Sequence, residues 1–369
     1  MLDLFSSSED ELHKPIISEE ELSDAEVLIE LKKIKEDLKD RVVVLGHHYQ
    51  QDDIISFADY TGDSLQLARE AVKLQNKEYI IFCGVHFMAE TADILSSGKQ
   101  KVILPDLKAG CSMADMARRS EIDKAWAFIK NSTNEKVVPV TYINCAATLK
   151  AFVGENGGSI CTSSNAEKII SWALKQGEKL LFFPDQHLGR NTCFKMGIPL
   201  EDMVVYNPNM LNGGLTSEQI AKAKVILWYG FCSVHQGFTL DHVKAIKKQD
   251  PDIQVIVHPE CNFEVTQAAD DNGSTSYIIE KVKNAPSGSK FAIGTEINLV
   301  NRLACEFSDK KIISLSPYQC LCTTMYRVRP RWLLASFRAI RDDKPINIIT
   351  VPADIASASR KALDRMLSV

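Results

Sequence analysis

The chain has no hydrophobic run approaching the roughly 18 residues of a membrane-crossing helix, and no tract of clustered lysine and arginine. The first lack predicts no membrane span. The second, with a formal net charge of −5, removes the electrostatic case for nucleic acid or an anionic lipid surface. The opening residues are acidic and show no signal-peptide pattern. No Cys-x-x-Cys pair occurs, so nothing anchors a ready-made zinc site. No low-complexity linker interrupts the chain, which predicts units that pack closely. What the chain does have is ten cysteines among 369 residues, with 45% hydrophobic content. That content supports a sizeable core and the length suggests two or three domains. Cysteines without a secretion signal point to the reducing cytoplasm, where they bind metal, catalyse or fill a core rather than form disulfides.

One construction recurs. Lys101-Val-Ile-Leu-Pro-Asp-Leu-Lys-Ala-Gly-Cys111 runs from a short apolar strand to a lone cysteine, followed by a helix signal at Ser112-Met-Ala-Asp115. Lys224-Val-Ile-Leu-Trp-Tyr-Gly-Phe-Cys232 and Lys311-Ile-Ile-Ser-Leu-Ser-Pro-Tyr-Gln-Cys320-Leu-Cys322 repeat it. Each copy closes a unit of strand, helix, strand, helix, strand. The opening strands are Val42-Val-Val-Leu45, Val137-Val-Pro-Val140 and Ile253-Gln-Val-Ile-Val257, continuous apolar runs of the kind a doubly covered parallel sheet needs. They end in Gly46-His-His-Tyr-Gln50, Tyr142-Ile-Asn144 and His258-Pro-Glu260. Ser64 follows His47 by 17 residues, as Thr275 follows His258, and Ser163 follows Tyr142 by 21. The pattern predicts three α/β/α three-layer domains related by a pseudo-threefold axis, each with a small parallel sheet. The expected divisions are an acidic arm at 1–23, repeats at 24–112, 113–233 and 234–322, and a capping segment at 323–369.

Ligands of open parallel sheets sit beyond the carboxyl ends of the strands. Three units facing one axis would therefore bring His47, Tyr49, Tyr142, Asn144, His258 and Glu260 into one pocket, with Cys111, Cys232 and Cys322. Three thiolates suit an iron–sulfur cluster with one open iron, or zinc; a lone cysteine can also be a small buried hydrophobe, the reading for Cys83, Cys145, Cys161, Cys193 and Cys305. Cys320 and Cys322 are too close for both to ligate easily, and Cys261 is a further candidate. A helix start after Cys111 would lower that thiol's pKa. Ser64, Ser163 and Thr275 read as helix caps whose N-termini can also take carboxylate or phosphate. His86, Glu90, Asp185, His187, Arg190 and Glu296 read as supporting residues. The same residues would serve a cluster-dependent hydro-lyase acting on a hydroxy acid, or a metal sensor that needs no shared pocket.

The sequence resembles quinolinate synthase over nearly its whole length after the arm. The matching motifs are Gly46-His-His-Tyr-Gln50, Gly62-Asp-Ser-Leu65, Phe82-Cys-Gly-Val-His-Phe-Met-Ala-Glu-Thr-Ala92, Ala109-Gly-Cys-Ser-Met-Ala-Asp115, Thr162-Ser-Ser-Asn-Ala166, Pro184-Asp-Gln-His-Leu-Gly-Arg190, His258-Pro-Glu-Cys261, Gly273-Ser-Thr275 and Gly294-Thr-Glu296. The N-terminal extension and the Phe152-Val-Gly-Glu-Asn-Gly-Gly158 loop resemble the Bacillus-type branch. The resemblance implies one [4Fe–4S] cluster on Cys111, Cys232 and Cys322, the last preferred because Cys322-Thr-Thr-Met325 matches the family's Cys-x-x-Met. It implies condensation of iminoaspartate with dihydroxyacetone phosphate to quinolinate, phosphate and water in NAD biosynthesis, with the open iron as Lewis acid for dehydration. Substrate positions then fall on His47, Ser64, Tyr142, Ile143, Asn144, Ser163, His258, Pro259, Glu260 and Thr275. Glu260, His47, Tyr49, Tyr142 and His258 carry the chemistry. An aspartate-oxidising enzyme is the expected supplier of iminoaspartate. Cys145 departs from the pattern, which has a hydroxyl residue there.

Overall fold

Three small sheets, each covered by helices, build the protein. The computed structural model describes residues 22–369 apart from 75, 97 and 319. Nearly all of the expected acidic arm therefore lies outside the described residues.

The strands are β1 (Val42–His47), β2 (Tyr60–Gly62), β3 (Tyr79–Cys83), β4 (Lys101–Ile103), β5 (Val137–Tyr142), β6 (Ser159–Cys161), β7 (Lys179–Phe183), β8 (Met203–Tyr206), β9 (Val225–Trp228), β10 (Gln254–Val257), β11 (Asp271–Asn272), β12 (Lys290–Gly294), β13 (Lys311–Ser314) and β14 (Ile348–Ile349). The sheet orders are β14-β4-β3-β1-β2, β6-β5-β7-β9-β8 and β11-β10-β12-β13. Each contains the same four-strand parallel core, β2-β1-β3-β4, β6-β5-β7-β9 and β11-β10-β12-β13. This is the three-domain α/β/α class that the repeats predict. The opening strands β1 and β5 are buried at every position, as their continuous apolar runs require.

The expected three strands per unit fall one short in the first and third units and two short in the second, which also holds β8. β2, β6 and β11 are two or three residues long, too short to show any period of their own. Parallel pairing to the first strand of each unit makes them: His47 is opposite Gly62, Tyr142 opposite Cys161, and Val257 opposite Asn272. They matter because each delivers the next few residues to the carboxyl edge of its sheet.

The tail ties units together. β14 adds antiparallel to β4 of the first sheet. The final helix, Ala353–Ser368, lies on the second unit's helix Ala147–Glu155, where Ser359 donates to the Ala147 carbonyl at 2.9 Å. The approach is so close that a Cβ on Gly154 would lie 1.9 Å from the Ala358 carbonyl oxygen. Among the described residues, no helix is long and apolar enough to cross a membrane.

Candidate active site

In a 2-1-3-4 parallel sheet the connections leave in opposite directions from the first strand, which opens a crevice beyond its carboxyl end. All three crevices open into one cavity. It is lined by His47 and Tyr49 after β1, Tyr142 and Asn144 at the end of β5, and His258 and Glu260 after β10. Ser64, Ser163 and Thr275, delivered by the short strands, line it as well. So do Cys111, Cys232 and Cys322. Strand order sets the layout within each unit: hydroxyls at one sheet edge, imidazoles and carboxylate at the centre, thiols towards the other edge. No lysine or arginine is among the described residues that line the cavity.

Two expected substrate positions fall elsewhere. The Ile143 side chain is buried in the hydrophobic core, because the chain turns after β5 and alternate residues face away from the cavity. Pro259 lines a separate outer cleft, and its carbonyl accepts from Asn191 at 2.8 Å. Among the other cysteines, Cys83, Cys145, Cys161 and Cys193 are buried core residues and Cys305 is exposed. Cys145 accepts a 3.2 Å hydrogen bond from Thr141. Cys261 and Cys320 belong to the third unit's core, with Cys320 packed close to Gly237, where a Cβ would lie 3.2 Å from its sulfur.

In two of the three helices the cap is one position off the expectation, and in the third it is two. Asp63, not Ser64, caps the helix Ser64–Lys73, its Oδ1 accepting from the Leu65 and Gln66 amides at 3.0 and 2.9 Å. Ser274, not Thr275, caps Thr275–Asn284. Ser163 precedes Asn165, the N-cap position of Ala166–Gln176. In the first and third units a separate residue does the capping, and Ser64, Ser163 and Thr275 all line the cavity wall.

Glu260 is the centre of the polar network. The Tyr142 hydroxyl donates to its Oε1 at 2.5 Å. His235 Nδ1 lies 2.8 Å from its Oε2 and His258 Nδ1 3.9 Å from its Oε1. Burial opposes ionisation of Glu260, but the imidazoles of His235 and His258 and the Tyr142 hydroxyl outweigh it and hold the carboxyl below its ordinary range. Burial pushes His47 and His258 down to about 3, so both are neutral at neutral pH. Burial and the charge of Glu260 push both Tyr49 and Tyr142 well above the usual phenol value, so they are hydrogen-bonding hydroxyls. The Tyr49 hydroxyl lies 2.8 Å from the Thr295 hydroxyl and accepts from Thr275 at 3.1 Å. Asn144 Oδ1 is buried with no hydrogen-bond partner among the described residues and belongs to a cavity-lining side chain, which marks a place for a polar ligand.

Sequence reasoning missed His235, Thr295 and Asp63 as site residues. His235 stacks on His258 with ring centroids 4.5 Å apart and faces the Thr295 hydroxyl at 3.2 Å. Its signal was the Cys232-Ser-Val-His235 spacing. Asp185 and Glu296 do support the site, as caps of Gln186–Lys195 and Ile297–Glu306. The Glu296 carboxylate also accepts from the Cys322 amide at 3.4 Å, fixing that cysteine's loop.

The Cys111 thiol was expected to be acidified by a helix start. Only one 3-10 turn, Ala114–Met116, follows Cys111, and burial pushes its thiol up to about 12 despite amide contacts from Ala114 and Met113. Cys232 and Cys322 are likewise raised, by burial first. Cys111, Cys232 and Cys322, one from each unit, all line the one cavity.

The family described as "Quinolinate synthetase A protein" matches residues 29–368. The chain belongs to the quinolinate synthase family. Relatives named quinolinate synthase include one from Anoxybacillus flavithermus, 52% identical over 347 residues and 94% of each chain. Another, from Streptomyces coelicolor, is 51% identical over 94% of this chain and 89% of its own. The Bacillus subtilis relative is 48% identical over 100% of this chain and 99% of its own. Membership makes the protein an enzyme of NAD biosynthesis, and the cavity is its candidate active site. Three cavity-lining thiols on three separate units are a soft donor set that suits a metal centre.

Proposed function

We propose that the protein condenses iminoaspartate with dihydroxyacetone phosphate, giving quinolinate, phosphate and two waters. The observation that carries the reading is the single cavity in which hydroxyls, a carboxylate–imidazole network and three thiols from three units converge. Dianionic substrates suit the hydroxyl end, where Ser64, Ser163 and Thr275 stand at or beside the positive ends of helices. Asn144 orients a polar group of the substrate through its unpartnered oxygen.

Cys111, Cys232 and Cys322 would hold one [4Fe–4S] cluster, which when bound supplies a Lewis-acid iron for the loss of water. The enamine carbon of iminoaspartate forms the new carbon–carbon bond to the triose, and phosphate departs. Isomerisation of the resulting hydroxyketone moves the carbonyl to the terminal triose carbon, the nitrogen closes the six-membered ring there, and two waters are lost. Glu260 takes and returns the protons of isomerisation and ring closure, oriented by Tyr142. His258 and His47, neutral in the cavity, are the further proton acceptors. Tyr49, braced by Thr275 and Thr295, orients the carbonyl and hydroxyl of the triose.

A second reading rests on Cys232, His235 and Glu260, whose donor atoms lie within 4.8 Å of one another. These could hold a single divalent ion. That arrangement leaves Cys111 and Cys322 without a role and takes Glu260 from Tyr142. The anaerobically reconstituted protein should contain about four irons with matching sulfide and should form quinolinate only with both substrates present. One metal per chain without sulfide would favour the second reading. A four-iron protein that forms no quinolinate would sink the substrate assignment and favour a hydro-lyase acting on a hydroxy acid.

A further inference from the structure

The Asp63 carboxylate reaches all three units. Its Oδ1 caps its own helix, while its Oδ2 accepts from Ser164 of the second unit at 2.6 Å and Ser276 of the third at 2.5 Å. Asp63 is 5% exposed and lines the cavity. Ser164 is exposed and Ser276 half-buried, so the carboxylate faces the cavity from one side and its partners face outward from the other.

Outside these partners lies a cleft of about 200 Å³ between the second and third units, lined by Ser163, Ser164, Asn191, Lys195, Ser274 and Tyr277. Ser163 lines both the cleft and the cavity. In the third unit, Ser274 lines the cleft and its neighbour Thr275 the cavity. The partition between them is therefore about one residue thick, made of the starts of two helices and clamped by one side chain. The cavity itself has a free volume of about 70 Å³, well below the roughly 300–1,000 Å³ usual for a small-molecule site.

We propose that Asp63 is the latch of the active-site entrance. Ser164 and Ser276 release it when the partition parts, and substrates pass from the outer cleft to Ser64, Ser163 and Thr275. This rests on the reading of those three hydroxyls as the substrate-binding end. A carboxylate suits the task because charge-assisted hydrogen bonds from hydroxyls are strong and directional, yet two of them can break without unfolding either helix. The cap to Leu65 and Gln66 uses the other oxygen and survives opening.

The test uses the cluster-loaded protein and the double variant Ser164→Ala with Ser276→Ala, neither of which lines the cavity. Quinolinate is the probe. A latch that closes the free and the occupied enzyme alike predicts that association and dissociation rates in stopped flow rise together, about tenfold, while the equilibrium constant stays within about threefold. Amide exchange at 63–66, 162–166 and 274–277 should speed up by the same order. Threonine at both positions should restore slow exchange and slow binding. Unchanged exchange and rates would overturn the proposal. So would weaker binding through dissociation alone, which would make the serines part of the binding surface. If the parent protein binds no quinolinate, the substrate reading falls, and the exchange comparison alone decides whether Asp63 latches the partition.

Discussion

The two ends of the cavity are finished in different ways. At the hydroxyl end, one carboxylate accepts four hydrogen bonds from three units, and every contact is between protein groups. At the thiol end, three cysteines on loops beyond β4, β9 and β13 meet backbone amides and the Thr324 hydroxyl, 3.4 Å from Cys322, with His235 and Glu260 beside Cys232. Burial raises their pKa values, so they give up protons only to a cation that takes them as thiolates. One end is stabilised by its own hydrogen bonds; the other is a set of soft donors whose stability depends on what they ligate.

The largest test of this contrast is at the thiol end. Cys232→Ser should lose essentially all bound iron while the apoprotein keeps its circular dichroism and melting temperature within a few degrees. A full iron complement in that variant would break the ligand assignment. Glu260→Gln, in the centre, should lower turnover by about 10²–10⁴-fold with iron content intact, and normal turnover would remove Glu260 from the chemistry. Acid should act next. His47 and His258 have native values near 3 against an ordinary 6.5, so protons bind the unfolded chain first. The stability they allow is full above pH 6.5 and is lost as pH falls towards 3, with roughly 2 kcal/mol per imidazole gone by about pH 5. Denaturant midpoints that do not drop over that range would contradict the burial of the neutral rings. At the hydroxyl end, Asp63→Ala should cost about 3 kcal/mol through lost charged hydrogen bonds and a lost cap, while iron content stays unchanged. Iron loss in that variant would mean that the two ends are not independent. Smallest of all is Cys320→Ser, which should leave iron content unaltered, because Cys320 packs into the third unit's core instead of lining the cavity.

The same contrast explains what the sequence made legible. The repeated strand-to-cysteine segments exposed the thiol end, since a long apolar run followed by a lone Cys is visible at any distance along the chain. The strand-end His, Tyr and Glu residues were legible for the same reason. The partition at the hydroxyl end was not. Its strands are two or three residues long, and they exist only because a neighbouring strand offers a parallel edge. Asp63 was visible within Gly62-Asp-Ser-Leu65 but not as a three-way contact, because Ser164 and Ser276 lie 101 and 213 residues away. The caps were misplaced by one residue in two helices because Ser, Thr and Asp all satisfy the local preference, and only packing decides which of them turns to the amides. The acidity expected of Cys111 failed on magnitude: a single turn offers little dipole, and desolvation outweighs it.

The placement of β14 bears on how the chain is made. β4 is complete by residue 103, but the strand that covers its free edge is at 348–349. A ribosome must therefore add the second and third units before the first sheet gains its last neighbour. Throughout that interval a newly made chain carries an unpaired, apolar strand edge, a template for pairing with another copy. Truncations that end before residue 348 should retain three recognisable units and yet collect in inclusion bodies.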